Sequence, residues 1–373
     1  MKTPEYKPSR PFRIRPGLYL ENGKVMHEGK PFYGIGVNYF GAFLNAYHAP
    51  EKGELRTILS LLKENGITYF RANWGMFWPV HYRDMMADPG KYWKVMDSVV
   101  AAAEEFEMGI ICSFFWNPSG VSDYFGEPQN AWGKPDSRTR AFMKEYTMQV
   151  ISRYKESPAM WMWEFSNEFN LGMDLPNRAA LRAEGKPPLQ MGSRICRTEE
   201  DDLFSDYCTE VLAYFGQLCR TYDVYDRMIT SGNSEPRPTQ YQQRVFDLWP
   251  DRPDTRAEMA KTLEWHNPAP IDCVSIHTYG LQKRFPGTET YEGLFSAFRD
   301  ESSRLGRALF VGEFSGLDME ASKATIDALV KERIPLSAVW AIGEVEYSLD
   351  REPETRAEIL RYIREANEKM SVY

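Results

Sequence analysis

The sequence predicts a single-domain (β/α)8 barrel, the TIM-barrel fold, extending over residues 1–373. Apolar runs typical of buried parallel strands alternate with helical segments eight times along the chain. The length of 373 residues exceeds the roughly 250 residues that such a barrel typically takes. The rival fold is an open, doubly wound sheet, and it is weakened because no glycine-rich phosphate loop follows the first predicted strand.

The N-terminal extension, residues 1–31, contains a predicted hairpin from Leu18 to Gly29 that turns at Asn22-Gly23, a dipeptide favoured in two-residue turns. The eight barrel strands are predicted at Phe32–Phe40, Thr68–Trp74, Gly109–Trp116, Ala159–Glu168, Met228–Ser234, Asp272–Tyr279, Ala308–Phe314 and Ser337–Gly343. The helices are predicted at Glu54–Glu64, Tyr92–Glu107, Arg138–Tyr154, Asp201–Tyr222, Thr255–Trp265, Tyr291–Leu305, Ala321–Glu332 and Glu354–Glu368.

Composition excludes several classes of partner. The net charge of −8 argues against nucleic acid, which requires a basic surface. No segment reaches the roughly 18 apolar residues of a membrane span. The first residues have no apolar core of a signal peptide, so the protein either stays inside the cell or has lost a leader. The five cysteines form no CxxC pair and are expected to be reduced.

Residues 170–198 form an insertion after the fourth strand and carry an excess of positive charge. Its basic side chains are Arg178, Arg182, Lys186, Arg194 and Arg197, against Asp174 and Glu184. One interpretation is a solvated loop. The other is a border of the active site that meets an anionic ligand or a partner subunit, or that narrows the cleft.

Several of the apolar strands end in residues that are unfavourable to bury or that can contact a ligand. The carboxyl ends of the strands are also where the catalytic residues of such barrels lie. The residues at these predicted strand ends are Arg71 and Asn73, Asn167 and Glu168, His277 and Tyr279, Glu313, and Trp340. The structural alternative for Glu168 and Glu313 is an ion pair with Arg71. Glu164 is expected to point into the barrel and to be structural.

Two carboxyl groups on opposite strands can cleave a glycosidic bond with retention if they lie roughly 5–5.5 Å apart. One protonates the leaving oxygen and the other attacks the anomeric carbon. Glu313 is expected to stay ionised, helped by Arg71 and the hydroxyl of Tyr279. Glu168 is expected to be held protonated by a less polar setting and by the nearby negative charge.

The motifs WMWEFSNE (161–168), IHTYG (276–280) and FVGEFSG (310–316) resemble those of glycoside hydrolase clan A, especially the cellulase and β-mannanase family, family 5. The resemblance extends from GVNYF (36–40) to VWAIGE (339–344) and implies a retaining mechanism without metal or cofactor. It implies roles for seven residues: Glu168 as acid/base, Glu313 as nucleophile, Asn167 as partner of the sugar 2-hydroxyl, Arg71 and Tyr279 as electrostatic supports, His277 as a lining residue and Trp340 as a sugar platform. One departure is Phe115-Trp116-Asn117, where many cellulases have a His-Asn-like pair, and it weakens a simple cellulase assignment.

Further candidates are weaker. Trp116 is a second possible sugar platform, and Asn38 could bond a sugar hydroxyl. His81, Glu344 and Glu346 are also candidates for ligand contact. The tryptophans Trp74, Trp78 and Trp132 are more typical of packing. The histidines outside the strand ends show no HxH or HExxH spacing, so no metal is expected.

The sequence therefore predicts hydrolysis of β-linked oligo- or polysaccharides, with β-1,4-mannan or β-1,4-glucan favoured. The alternatives are an exo-acting enzyme or a transglycosylase acting on another sugar, including an anionic one. A rival of another class is a barrel that binds carbohydrate without cleaving it. The oligomeric state and the compartment stay open.

Overall fold

The computed structural model describes residues 5–9, 11–184, 188–281, 285–315, 318–343, 345 and 348–373. Within these residues, eight parallel strands close into a barrel in the order β10-β11-β4-β5-β6-β7-β8-β9. The barrel strands are β4 (Gly34–Asn38), β5 (Tyr69–Asn73), β6 (Gly109–Phe115), β7 (Met160–Ser166), β8 (Met228–Thr230), β9 (Cys273–Thr278), β10 (Ala308–Ser315) and β11 (Leu336–Trp340). The predicted TIM barrel is confirmed.

One long helix follows each barrel strand and covers the outside of the sheet. These helices are α2 (Glu54–Glu64), α4 (Pro89–Phe106), α6 (Arg138–Tyr154), α8 (Ser205–Tyr222), α10 (Arg256–His266), α11 (Tyr291–Arg304), α12 (Met319–Lys331) and α13 (Pro353–Met370). The strands are buried on both faces, which is why they appear as continuous apolar runs. The main core lies between the strands and these helices.

Five shorter helices lie in the connections that leave the carboxyl ends of the strands. They are α1 (Ala42–His48), α3 (Pro79–Ala87), α5 (Pro118–Phe125), α7 (Arg178–Glu184) and α9 (Gln240–Phe246). The active face of the barrel is therefore built from folded segments. Residues 170–198, predicted as a loop, contain α7 and two short 3-10 helices, Phe169–Gly172 and Leu189–Met191.

The opposite mouth of the barrel is closed by the N-terminal hairpin, β1 (Leu18–Glu21) and β2 (Lys24–His27), with the short strand β3 (Lys30–Pro31). Leu18 and Val25 pack in a cluster with residues that begin the barrel strands, among them Tyr69 and Trp161. The hairpin, including its turn at Asn22-Gly23, forms as predicted.

The carboxyl ends of several strands were predicted too far along the chain. The fifth barrel strand ends at Thr230 rather than Ser234, and the fourth ends at Ser166 rather than Glu168. Glu168 has a φ of 50°, in the left-handed region, which an extended strand does not contain. The apolar and small residues of these strands continue into the tight loops that follow. The sequence pattern therefore placed the ends of the strands too far along the chain.

The five cysteines are free, and Cys112 and Cys273 are buried in the core. No helix in the described part of the chain is long and apolar enough to cross a membrane.

Candidate active site

A cavity of about 830 Å³ opens at the carboxyl ends of the barrel strands. The described residues that line it are Phe40, Leu44, Phe77, Trp78, His81, Trp116, Asn167, Glu168, Tyr279, Glu313, Ser315, Trp340 and Val345. Six of the nine main candidates from the sequence are among them, and so is the weaker candidate His81. The other three, Arg71, His277 and Asn38, lie fully buried around the base of the cavity.

The two glutamates at the strand ends meet across the barrel. One carboxylate oxygen of Glu168, one of Glu313 and a ring nitrogen of His277 lie within 4.8 Å of one another. Glu168 follows β7 and Glu313 lies on β10, so the barrel brings together side chains that are distant in sequence. This spacing is close to the roughly 5–5.5 Å between the carboxyl groups of retaining glycosidases.

Arg71 connects both sides of the site from below. Its Nη1 donates to Oε1 of Glu313 over 2.8 Å and to Oδ1 of Asn38 over 3.0 Å. Its Nη2 donates to Oδ1 of Asn167 over 2.8 Å, and its Nε donates to Oε1 of Glu164 over 2.8 Å. Burial alone would lower the pKa of the Arg71 guanidinium, but the charges of Glu164 and Glu313 outweigh burial and raise this pKa. The arginine therefore stays charged and orients the groups around it.

Glu313 receives a second strong hydrogen bond, because the hydroxyl of Tyr279 donates to its Oε2. Nδ1 of His277 lies 3.5 Å from its Oε1. Burial, and then the charge of Glu313, raise the pKa of the Tyr279 hydroxyl, so this hydroxyl keeps its proton. Both carboxylate oxygens of Glu313 thus accept hydrogen bonds, Oε1 from the guanidinium of Arg71 and Oε2 from the hydroxyl of Tyr279.

The position of Glu168 depends on the neighbouring strand connection after β8. Its backbone N–H donates to the carbonyl of Gly232 over 2.8 Å, which holds the left-handed backbone of Glu168 in place. A side chain at position 232 would fit poorly, because a Cβ there would lie 1.8 Å from the carbonyl oxygen of Ser166. Two further bonds between Asn170 and Ser234, of 2.8 and 2.9 Å, tie the same two connections together.

The expected pKa of Glu168 was wrong in direction. Burial is the largest single influence and raises its pKa, as expected. The hydrogen bond from Nδ1 of His277 over 3.0 Å, the charge of that ring and the charge of Arg71 together outweigh burial. The net result is a Glu168 pKa below its ordinary value in the unliganded protein.

Asn38 does not have the position expected of a sugar-binding residue. Its side chain is fully buried and donates through Nδ2 to the carbonyl of Gly312 over 2.9 Å, while its Oδ1 accepts from Arg71. Because both ends of this amide are used inside the barrel, Asn38 positions Arg71 and β10. Asn167, in contrast, lines the cavity, and its Oδ1 accepts from Arg71, which leaves its NH₂ group as the donor for a ligand.

Trp116 and Trp340 form an aromatic wall of the cavity, with ring centroids 6.0 Å apart. The guanidinium of Arg71 also stacks on Trp116, with Cζ 4.2 Å from the ring centroid. Trp340 is the more exposed of the two rings and can offer a face to a sugar. Trp74 and Trp132 are fully buried and belong to the core.

His81 lines the cavity, whereas its partner His48 was not anticipated from the sequence. The two rings lie 4.5 Å apart, and burial followed by the influence of His48 lowers the pKa of His81 to about 4. His81 is therefore neutral near neutral pH and can exchange hydrogen bonds with a ligand. Phe40 and Phe77, also missed, extend the apolar lining. Glu344 and Glu346 lie outside the described residues.

The four arginines of the insertion are neutralised by carboxylates, and Lys186 lies outside the described residues. Arg182 pairs with Asp202, and Arg197 donates to both oxygens of Asp123 over 2.6 and 2.7 Å. Arg178 donates to both oxygens of Asp247. Arg194 contacts Asp201 over 2.7 Å. None of these arginines is among the described residues that line the 830 Å³ cavity, so the geometry does not favour an anionic sugar there.

Glu168, His277 and Glu313 are the one group among the described residues whose donor atoms converge as metal ligands could. The ring nitrogen of this group already contacts both carboxylates, and Glu313 is further held by Arg71 and Tyr279. The arrangement is suited to proton transfer and nucleophilic attack between these side chains.

The protein is a closed barrel with two glutamates that face each other at the carboxyl ends of its strands. This arrangement is the paired-carboxylate centre of barrel-type retaining glycosidases. Within that class, a family model described as cellulase (glycosyl hydrolase family 5) matches residues 25–344. The chain belongs to glycosyl hydrolase family 5.

Individual relatives are distant. A relative from Arabidopsis thaliana that carries the name mannan endo-1,4-beta-mannosidase 4 is 24% identical over 185 residues, which cover 42% of this chain and 44% of the relative. The match thus spans less than half the length of that relative. The endo-1,4-beta-mannanase of Rhizomucor miehei superposes with a TM-score of 0.67 at 13% identity, covering 96% of this chain and 100% of the other. A beta-glucanase of Saccharophagus degradans in complex with cellotetraose superposes with a TM-score of 0.60 at 14% identity, covering 98% of each chain. These structures share the fold.

Proposed function

We propose that this protein is a retaining β-glycoside hydrolase that cleaves β-linked oligo- or polysaccharides by double displacement. The observation that supports this most directly is the approach of Glu168 and Glu313 to within 4.8 Å at the base of an open cavity. A non-catalytic binding barrel has no need to hold two carboxylates so close together, because their mutual repulsion is unfavourable.

In the first step, an oxygen of the Glu313 carboxylate attacks the anomeric carbon, and the bond to the leaving oxygen breaks. Glu168 transfers its proton to that oxygen, so the leaving sugar departs as a neutral alcohol. The products are a glycosyl ester on Glu313 and an ionised Glu168. Arg71 and Tyr279 hold the two carboxylate oxygens of Glu313 in place before the attack.

In the second step, the carboxylate of Glu168 removes a proton from water, and the resulting nucleophile attacks the anomeric carbon from the opposite face. The ester bond breaks, Glu313 regains its charge, and Glu168 is protonated again. The two inversions give net retention. Asn167 offers its NH₂ group to a sugar hydroxyl in both steps, and Trp340 supports the ring of the bound sugar.

The low pKa of Glu168 in the unliganded protein suits the second step, in which Glu168 acts as a base. The first step requires its protonated form. A bound sugar removes water from around Glu168, and this desolvation raises the pKa of a carboxyl group. We infer that substrate binding itself brings Glu168 to its acid form.

The favoured substrates are β-1,4-mannan and β-1,4-glucan. Support comes from the names of the similar proteins, which include mannanases and a glucanase. The apolar and aromatic lining of the cavity, with few charged groups beyond the two glutamates, agrees with a neutral sugar chain.

The test is a screen of the purified protein against aryl β-glycosides, β-mannan and β-glucan, with the anomer of the first product followed by NMR. We expect cleavage with retention. Glu313→Gln should lower kcat by roughly four to six orders of magnitude, the range for losing a member of a catalytic unit. Glu320→Gln changes an exposed glutamate on α12 in the same way and should leave kcat unchanged. Inverted products, or substantial activity in the Glu313 variant, would contradict the assignment.

A further inference from the structure

A second cavity of about 550 Å³ adjoins the catalytic cavity. Phe77 and Trp78 line both cavities, so these two partly exposed rings form a shared wall. They pack edge to face, with ring centroids 4.8 Å apart. Because these two rings border both spaces, the two cavities lie side by side.

The second cavity is built by the insertion after β7. Leu175, Leu181 and Leu203 line it from that side, and Asn117, Ser119 and Gln129 line it from the connection after β6. Ion pairs join the two sides, since Arg197 holds Asp123 of α5, and the backbone N–H of Gln129 donates to Asp201 over 3.1 Å. The walls are therefore held in place before any ligand arrives.

The charges in the cavity wall balance. Arg178, Arg182 and Arg197 line it together with Asp201 and Asp202. Arg178 also binds Asp247, and Arg197 also binds Asp123. Each of these three guanidinium groups thus faces a carboxylate, so among the described lining residues no positive charge is left uncompensated to attract an anion. What remains for a ligand is a mixture of amides, hydroxyls, apolar side chains and an aromatic edge, which suits a neutral sugar.

We propose that this second cavity binds a sugar unit of the same neutral β-linked chain, distant from the bond that is cleaved. The insertion then acts as a determinant of chain-length preference. This inference rests on the proposed function. It assigns Leu175, Leu181 and Leu203, which line the second cavity, a role in recognition that the catalytic cavity does not require.

The experiment fills the cavity. Leu181 lines it from α7, so Leu181→Trp places a large ring in it. Leu189→Trp is the matched control, because Leu189 belongs to the same insertion, is exposed, and is not among the described lining residues. Kinetics are measured with an aryl β-glycoside and with oligosaccharides from disaccharide to hexasaccharide. Ser119→Trp, from the opposite wall, serves if Leu181→Trp does not fold.

We expect kcat/KM of the wild-type protein to rise about tenfold when the chain becomes long enough to reach the second cavity, a change that corresponds to about 1.4 kcal/mol. Leu181→Trp should lose this rise through KM and keep its rate on the aryl glycoside. Leu189→Trp should behave as the wild type does. An unchanged dependence on chain length in Leu181→Trp, or no such dependence in the wild type, would overturn the inference.

A binding measurement separates this inference from the proposed chemistry. In the Glu313→Gln background, hexasaccharide binding is measured by calorimetry with and without Leu181→Trp. Weakening by about tenfold supports the second cavity even if no substrate is turned over. Equal affinity of the two proteins rejects it, whatever the catalytic result.

Discussion

Replacing His277 with phenylalanine removes the nitrogen that contacts both carboxylates and keeps a ring of similar size in the core. In the unliganded protein, Nδ1 of His277 lies 3.0 Å from Glu168 and 3.5 Å from Glu313. The contact with His277 lowers the pKa of Glu168 against the opposing effect of burial. Without it, burial should dominate and the pKa of Glu168 should rise.

The size of the change follows from the contact that is lost. A hydrogen bond to a charged group contributes about 1.5–3 kcal/mol. One pKa unit corresponds to about 1.36 kcal/mol. Loss of this bond should therefore make release of the Glu168 proton about tenfold to a hundredfold less favourable. The Glu168 side chain is 26% exposed, so water can replace part of the contact and the lower end of this range is expected.

The assay is the pH profile of kcat/KM, which reports the ionisation of the free enzyme. Glu168 must be protonated to act as the acid, so kcat/KM falls as the pH rises through its pKa. A higher pKa in His277→Phe moves this alkaline limb to higher pH, whatever happens to the maximum rate. The substrate should be a glycoside with a poor leaving group, because only then does the first step need the acid.

His81→Phe is the matched control, since His81 also lines the cavity, whereas its ring contacts His48 and the backbone N–H of Trp78. Its alkaline limb should stay in place. Circular dichroism and the thermal midpoint show whether each variant is folded. An alkaline limb that stays fixed or moves to lower pH in a folded His277→Phe would refute the reasoning about Glu168.

Further predictions concern the same network. In the wild type, the alkaline limb of kcat, which reports the substrate complex, should lie at higher pH than that of kcat/KM, and coincident limbs would contradict the proposed effect of substrate on Glu168. Glu168→Gln should slow oligosaccharide hydrolysis about 10²–10⁴-fold, and added azide should restore turnover of an activated aryl glycoside. No response to azide would argue against Glu168 as the base. Arg71→Met should lower the free energy of unfolding by about 3–5 kcal/mol, because two buried carboxylates lose their partner. Arg56→Met, which removes an exposed ion pair, should leave the free energy of unfolding close to that of the wild type in the same denaturant titration. Equal effects of these two variants would show that Arg71 does not hold the site together.

The order of elements was predictable because burial on both faces of a parallel sheet leaves a strong signal. Helices Glu54–Glu64 and Arg138–Tyr154 have the predicted bounds. The ends of strands were less predictable, because turns such as the one at Glu168 use residues that also suit strands. The hydrophobic pattern predicts which helices and strands exist and in what order. The residue at which a strand ends depends instead on the backbone conformation of that one residue.

The pairing of Glu168 with Glu313 could be anticipated, because buried carboxyl groups at the ends of opposite strands of a closed barrel have few other places to point. The orientation of Asn38 could not. Successive side chains of a strand point to opposite faces, so a shift of one residue would turn the Asn38 amide to the other face. Only the hydrogen bond to Gly312 on β10 shows that this amide points into the barrel. The insertion was misleading for a related reason: the carboxylates that neutralise Arg178 and Arg197 come from positions 69 and 74 residues away.

The direction of the Glu168 pKa was beyond sequence reasoning because it is a difference between large opposing effects. Burial raises this pKa, while His277 and Arg71 lower it, and only distances decide the sum. The result is consistent with the double role that a retaining mechanism imposes. A group that must donate a proton in one step and remove one in the next benefits from a pKa that changes along the reaction. His277 and Arg71 are fixed in the core, so only the solvent and the substrate around Glu168 can change during the reaction. We therefore infer that the bound substrate controls whether Glu168 is protonated.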